Sequence, residues 1–346
     1  MRKATFKKYQ LHFKNPAQTS RGVMSVKNGY LLSITENTIR GIGECSFIED
    51  LSIDDIPNYE AALKEVCSYI ENPSLVKPNI SLFPSIRFGW ECALLDLKGG
   101  GREILFDTDF TKGINQIPIN GLVWMGSKEF MQRELEEKLQ DGFRCIKIKV
   151  GAIGFNEEIN LLKFIRQRFP KDAIEIRLDA NGAFQKDDVF KKLEILADFD
   201  IHSIEQPVKA GELDLMSEVC SYSPIPVALD EELIRIKECD MEHLLEKLCP
   251  HYIILKPSLL GGFKVCDKWI ELAERKDIGW WATSALESNI GLNAIAQWVF
   301  TKNNAMVQGL GTGGLFIDNI SSPLFIQNGN LAYDPNTKFA DKILEH

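Results

Sequence analysis

Lys149, Asp179, Glu205, Asp230 and Lys256 each stand at the end of a short apolar run, and successive members are 25 to 30 residues apart. That interval is about one strand plus one helix of a repeating β-α unit. On parallel neighbouring strands, all five side chains would reach the same rim. Three carboxylates gathered there repel one another and resist ionisation unless a cation neutralises them. An oxygen-only donor set, with no histidine or cysteine at equivalent positions, selects Mg²⁺ over zinc, with Mn²⁺ as a substitute. Asp179, Glu205 and Asp230 are therefore the expected metal ligands. A single acid at a strand end is more often a helix cap or a surface group; three at successive ends, flanked by lysines, point to shared chemistry. With a carboxylate substrate on the ion and an amine beside its α-carbon, the chemistry is removal of a weakly acidic proton.

The stretch "CIKIKVG" sets Lys147 two residues before Lys149, so on a strand both face the same way. An alternating KIK is commonly a solvated strand face. On an interior barrel strand it means something else: a second ammonium weakens a lysine's hold on its proton, leaving an amine able to act as a base near neutral pH. Lys149, nearer the rim, is the expected base and Lys147 the neighbour that lowers its pKa. Lys256 lies across the three acid strands, and spacing alone leaves it a second base, an electrostatic clamp or a surface group. Asn181 in "LDANGAF" either orients Asp179 or a water, or simply forms a turn. Arg177, two before Asp179, belongs one layer beneath the ion or in a structural ion pair. His202, three before Glu205, faces away from it and suits packing.

The elements that must position these groups begin near residue 116. Eight apolar runs ("IPINGLVW", "CIKIKV", "IEIRLD", "HSIE", "IPVALD", "YIILK", "WWATS" and "AMVQGL") alternate with longer segments, three of which, "NEEINLLKFIRQRFP", "LDLMSEVCSYS" and "GGFKVCDKWIELAERK", carry apolar residues at helical spacing. Eight such units predict an α/β fold of the (β/α)8-type, a modified TIM barrel. Ahead of it, strands over 4–14, 23–35 and 38–45 with turn signals "KNP", "KNG" and "TENT", then helices within 54–72 and 81–100, predict an α+β capping domain. The expected division is 1–110 capping domain, 111–312 catalytic barrel, and a 313–346 tail that packs back on the cap.

Composition narrows the partners. Net charge is -9, with 45% hydrophobic and 26% charged residues, which argues against nucleic acid or an anionic membrane as the main partner. The N-terminal "MRKATFKKYQLHFKN" lacks the apolar block of a secretory signal. The greasiest stretch, 279–300, carries Glu287 and two asparagines and reads as a strand plus a buried helix. Eight scattered cysteines without a CxxC pair read as free thiols. The expectation is a cytoplasmic protein acting on a small-molecule carboxylate, its oligomeric state open.

Taken together, "KIKVG", "RLDANGAF", "IEQPV", "ALDEEL" and "ILKPSLLGG" resemble the enolase superfamily, in its muconate-lactonizing-enzyme-like subgroup. "NGYLLSI", "GIGECSF" and "FGWECALLDL" extend the resemblance to the capping region, so that it covers nearly the whole chain. Lys-Pro-Ser at Lys256, "SALESNIGL" and "GLGTGGLF" look like the hydro-lyases of that subgroup, which dehydrate 2-succinyl-6-hydroxy-2,4-cyclohexadiene-1-carboxylate in menaquinone biosynthesis. The resemblance implies a Mg²⁺ enzyme in which Lys149 takes the α-proton and returns it to the departing hydroxyl, while Lys256 steadies the enediolate. It further implies Ser284 and Gly309 near the succinyl tail, and loops "NPAQTSRG", with Arg21, and "SFIEDLS" closing over the substrate. The alternatives are racemisation of N-succinylamino acids and dipeptide epimerisation; against the latter, "GLGTGG" lacks the acid pair that holds an ammonium group. A metal-free barrel that only binds is the non-enzymatic alternative.

Overall fold

The computed structural model describes residues 1–19, 22–124, 127–151 and 153–339. Strands β1 (Arg2–Thr19), β2 (Gly22–Glu36) and β3 (Ile39–Cys45) form an antiparallel meander in that order. Of the three expected turns only "TENT" is one, with Asn37 in the left-handed region at φ 57°. "KNP" falls where the β1–β2 register shifts between His12 and Ala17, and "KNG" lies wholly within β2, paired with Leu11, Gln10 and Tyr9. Gly29 is tolerated inside the strand because the Tyr9 ring crosses it: a Cβ there would stand 2.4 Å from the phenol oxygen.

Helices α1 (Tyr59–Glu71) and α2 (Pro84–Lys98) cover this sheet. The buried residues of α1 (Tyr59, Ala62, Leu63, Val66, Cys67 and Ile70) recur every three or four positions and supply one apolar stripe. The second helix has two apolar faces: Ile86, Ala93 and Leu97 join the core of the N-terminal module, whereas Phe88 and Cys92 join the larger core beyond it. Contact with β3 is backbone against backbone. A Cβ on Gly43 would meet the Gly89 carbonyl oxygen at 1.9 Å and the Ala93 nitrogen at 2.8 Å. Gly43→Ala must therefore push the helix off the sheet, and should destabilise the protein by about 3 kcal/mol in denaturant unfolding; an unchanged midpoint would refute this account of the packing.

After β4 (Ile117–Pro118), seven parallel strands follow: β5 (Gly121–Val123), β6 (Cys145–Lys149), β7 (Glu175–Asp179), β8 (Ser203–Glu205), β9 (Val227–Leu229), β10 (Tyr252–Leu255) and β11 (Gly279–Ala282). Their intervening helices are α3 (Lys128–Gln140), α4 (Phe155–Arg168), α5 (Val189–Ala197), α6 (Leu213–Tyr222), α7 (Met241–Leu248), and the pair α8 (Pro257–Leu260) and α9 (Phe263–Glu274), with α10 (Asn289–Phe300) after β11. Sequential strands are spatial neighbours throughout, so the sheet curls in one direction. The eighth run, "AMVQGL", forms no strand of its own. Instead Gln308 bridges to Ile119 and Gly309 to Thr283, so this short segment joins the sheet's two outer edges.

Carboxylates from the N-terminal module tie it to the parallel unit. Glu91 on α2 accepts from the Phe263 N–H at the start of α9 (2.6 Å), and Glu44 on β3 accepts from Ser288 and Gly291 at the start of α10. Each puts a negative charge where a helix presents unpaired N–H groups. The described part of the tail touches both units. Phe316 bridges to Phe13 and Phe339 packs on Leu31 and Ile42, but β12 (Leu324–Gln327) and β13 (Asn330–Tyr333), a hairpin turned at Asn328-Gly329, pair with β4 rather than with the meander.

Candidate active site

Strand register sets the charged rim. Lys149 pairs with Asp179 and Asp179 with Glu205, placing these three at one height; Asp230 follows the last residue of β9 and Lys256 the last of β10. All five side chains converge. Lys147 Nζ lies 2.9 Å from Asp179 Oδ2 and 2.7 Å from the Glu205 carboxylate, Lys149 Nζ lies 3.1 Å from the same Asp179 oxygen, and Lys256 pairs with Asp230. The acid side chains are 1–3% exposed and the three lysines 11–13%.

Burial alone would lower the pKa of Lys147, but Asp179, Glu205 and Asp230 outweigh it and raise it, so Lys147 is a standing positive charge beside Lys149. Lys256 is likewise raised: burial opposes its charge, and Asp230, Glu231 and Glu205 prevail. Burial also works against the charged form of Asp179, yet Lys147, Lys149 and Lys256 hold it below the usual carboxylate range. Glu205 bears the repulsion. Burial, then the charges of Asp179 and Asp230, push it well above the usual range despite Lys147 and Lys256.

Among the described residues, no three His, Cys, Asp or Glu side chains converge closely enough in this arrangement to enclose an ion; ammonium groups stand between the acids. The donor set nonetheless fits a hard divalent cation. Its atoms are all carboxylate oxygens, and the charge burden on Glu205 is the kind that a cation relieves.

Above the rim lies a cavity of about 800 Å³, lined from the parallel unit by Lys147, Lys149, Asp179, Lys256, Ser284 and Gly309 among others, and from the N-terminal module by Gly22–Val26 and Ile48–Leu51. Asn181 also lines it and accepts from Lys149 Nζ at 2.6 Å, so it orients the lysine. Arg177 is not among the residues that line the cavity. Its guanidinium pairs with Glu175 (2.7 Å), donates to the Val307 carbonyl and stacks on Trp281, a buried layer below the cavity. His202 packs against Tyr252, as expected of a residue facing away. Arg21 lies outside the described residues.

Three residues of the site were not foreseen. Glu231 accepts from Asn181 Nδ2 at 3.0 Å, which turns the amide so that its oxygen meets Lys149; its Oε2 is buried without a hydrogen-bond partner. Trp124 places its ring 5.8 Å from Lys149 Nζ. Glu287, fully buried, accepts from the hydroxyls of Ser258 and Ser284 and thus ties helix α8, which follows Lys256, to a cavity wall. The second acid of "ALDEEL" and the acid of "SALESNIGL" were the available signals.

A family model described as enolase C-terminal domain-like matches residues 130–335, and one described as the MenC N-terminal domain matches residues 1–97. The chain belongs to the enolase superfamily, among its muconate-lactonizing-enzyme-like members. More particularly, it is 40% identical to the o-succinylbenzoate synthase of Desulfotalea psychrophila, over 94% of this chain and 98% of that protein. The crystal structure of MenC from the same organism matches with a TM-score of 0.86 at 37% identity, covering 96% of this chain and 99% of that one. A hydrophobic dipeptide epimerase of Enterococcus faecalis is 30% identical over 68% of this chain and 66% of that protein.

Proposed function

We propose that this chain is an o-succinylbenzoate synthase, a hydro-lyase that converts 2-succinyl-6-hydroxy-2,4-cyclohexadiene-1-carboxylate to 2-succinylbenzoate. The observation that carries the reading is the placing of Lys149 and Lys256 on opposite flanks of Asp179, Glu205 and Asp230 at a cavity floor, in a chain 40% identical to such a synthase. The fold behind it is read as a closed (β/α)8-type barrel (111–312) under a cap (1–110), with 313–346 as the returning tail. The two bridges of residues 308–309 support the closure.

Asp179, Glu205 and Asp230 are the residues that would hold Mg²⁺, or Mn²⁺ in its place. When bound, the ion supplies stabilisation of negative charge on the substrate carboxylate. The chain's own groups do the rest. Lys149, hydrogen-bonded to Asn181 and lining the cavity, takes the α-proton as the base. Lys256, kept protonated by Asp230 and Glu231, faces the charge that grows on the carboxylate oxygens as the C–H bond breaks. The electron pair moves into the ring, the C–O bond to the hydroxyl breaks, and Lys149 gives its proton to that oxygen on the same face. Water leaves and the ring becomes aromatic. Ser284 and Gly309, on the cavity wall, are assigned to the succinyl end.

The test is loss of diene absorbance with and without EDTA. Turnover should cease on chelation and return with added Mg²⁺; turnover that survives chelation would overturn the metal-ligand assignment. Because the same proton abstraction serves racemisation, N-succinylamino acids are assayed in parallel by optical rotation. No helix among the described residues is long and apolar enough to cross a membrane, which is compatible with the cytoplasmic setting proposed here.

A further inference from the structure

The wall of the cavity contributed by residues 48–51 is a short loop without regular strand or helix, and its stem is held by one buried ammonium. Lys27, on β2, is 2% exposed. Its Nζ donates to Ser46 Oγ at 2.6 Å, to the Phe47 carbonyl oxygen, and more weakly to the Asn28 carbonyl oxygen at 3.4 Å. The next four residues, Ile48 to Leu51, line the cavity. Within the loop, the Ile48 carbonyl accepts from Ser52 N at 2.9 Å and Ser52 Oγ accepts from Ile48 N at 2.8 Å, which closes it into one compact unit. Asn28, beside Lys27, donates to Glu49 at 2.8 Å from the exposed side. The loop is thus a closed turn attached at its stem.

Stability does not explain the lysine. Among the described residues no carboxylate lies within 4.0 Å of its Nζ, so its direct partners are uncharged. Burial pushes its pKa down to about 8, against the opposing pull of Glu44, Glu287, Asp54 and Glu49. With the folded pKa below the unfolded one, the unfolded chain binds more protons between those values, and stability rises with pH across that window. Below it, the charged lysine works against folding. What the ammonium does hold is the Ser46–Phe47 stem.

We propose that Lys27 is a positioning residue that fixes the 46–52 loop over the substrate, and so governs binding without taking part in the proton transfers. The kinetic arm rests on the reaction proposed above; the exchange arm does not. Lys27→Met should speed amide hydrogen exchange across residues 47–52 by about tenfold or more while leaving Leu31–Ile34 of the same strand unchanged. In turnover, KM for the diene should rise about tenfold with kcat within about twofold of the parent, the pattern of lost uniform binding. Lys27→Gln, which keeps a donor, should fall between. Unchanged exchange in the loop, or exchange that rises equally through β2, overturns the proposal, as does a fall in kcat as large as that in kcat/KM. If the parent protein fails to turn over the diene, the synthase reading fails by itself and the exchange result alone decides the role of Lys27.

Discussion

Replacing Lys149 with alanine should lower kcat by about 10³-fold or more, because one amine is asked both to remove a carbon-bound proton and to deliver it to the leaving oxygen, and each such transfer is typically worth about 10²- to 10⁴-fold. Lys149→Arg should fare no better: a guanidinium keeps its proton at any working pH and cannot act as the base. The fold should survive both changes. Lys149 touches Asp179 and Asn181 from the cavity side, and Asp179 retains Lys147 at 2.9 Å, so thermal melting should stay close to the parent. A folded Lys149→Ala enzyme with near-parental turnover would remove this lysine from the mechanism.

Glu205→Gln should separate function from stability. With Mg²⁺ held constant, turnover should drop at least about 10²-fold, as expected when a group that organises charge stabilisation is lost. In EDTA at pH 7 the same variant should melt at or above the parent's temperature. The sign follows from the raised folded-state pKa of Glu205: the folded state binds the proton more tightly than the unfolded chain, so the parent loses stability as pH rises from the unfolded value towards the folded one. The chelated parent should therefore gain stability on acidification, and the glutamine variant should lack that part of the gain. Identical pH profiles for the two would show that Glu205 does not carry the repulsion assigned to it.

Much of this site was legible in the sequence for a geometric reason. A parallel sheet repeats its strand ends at nearly constant intervals, so charged residues on that interval share a rim, and a KIK tripeptide on a strand has only one way to face. The residues that were missed break the periodicity. Glu231 comes after β9 has ended at Leu229, and a 3-10 turn over Glu231–Leu233 redirects it towards Asn181. Glu287, just ahead of α10, reaches Ser258 on α8, 29 residues back along the chain, a relation no local pattern encodes. The "KNG" stretch misled because asparagine and glycine favour turns, whereas here Tyr9 on the paired strand covers Gly29 and β2 runs straight through. The contacts of Arg177 could not be read locally: its partners Glu175, Val307 and Trp281 come from three separated parts of the chain.

Glu44 and Glu91 also limit how this chain can be recombined. Each is an anion supplied by one half to a helix that begins in the other, so a cut near residue 110 would take these carboxylates from the starts of α9 and α10 and leave Glu44 with Tyr9 but without its donors from Ser288 and Gly291. A chimera that grafts the first hundred residues of a distant relative onto this barrel inherits the same obligation: it must bring an acid to both helix origins, or the join will be the first part of the hybrid to open.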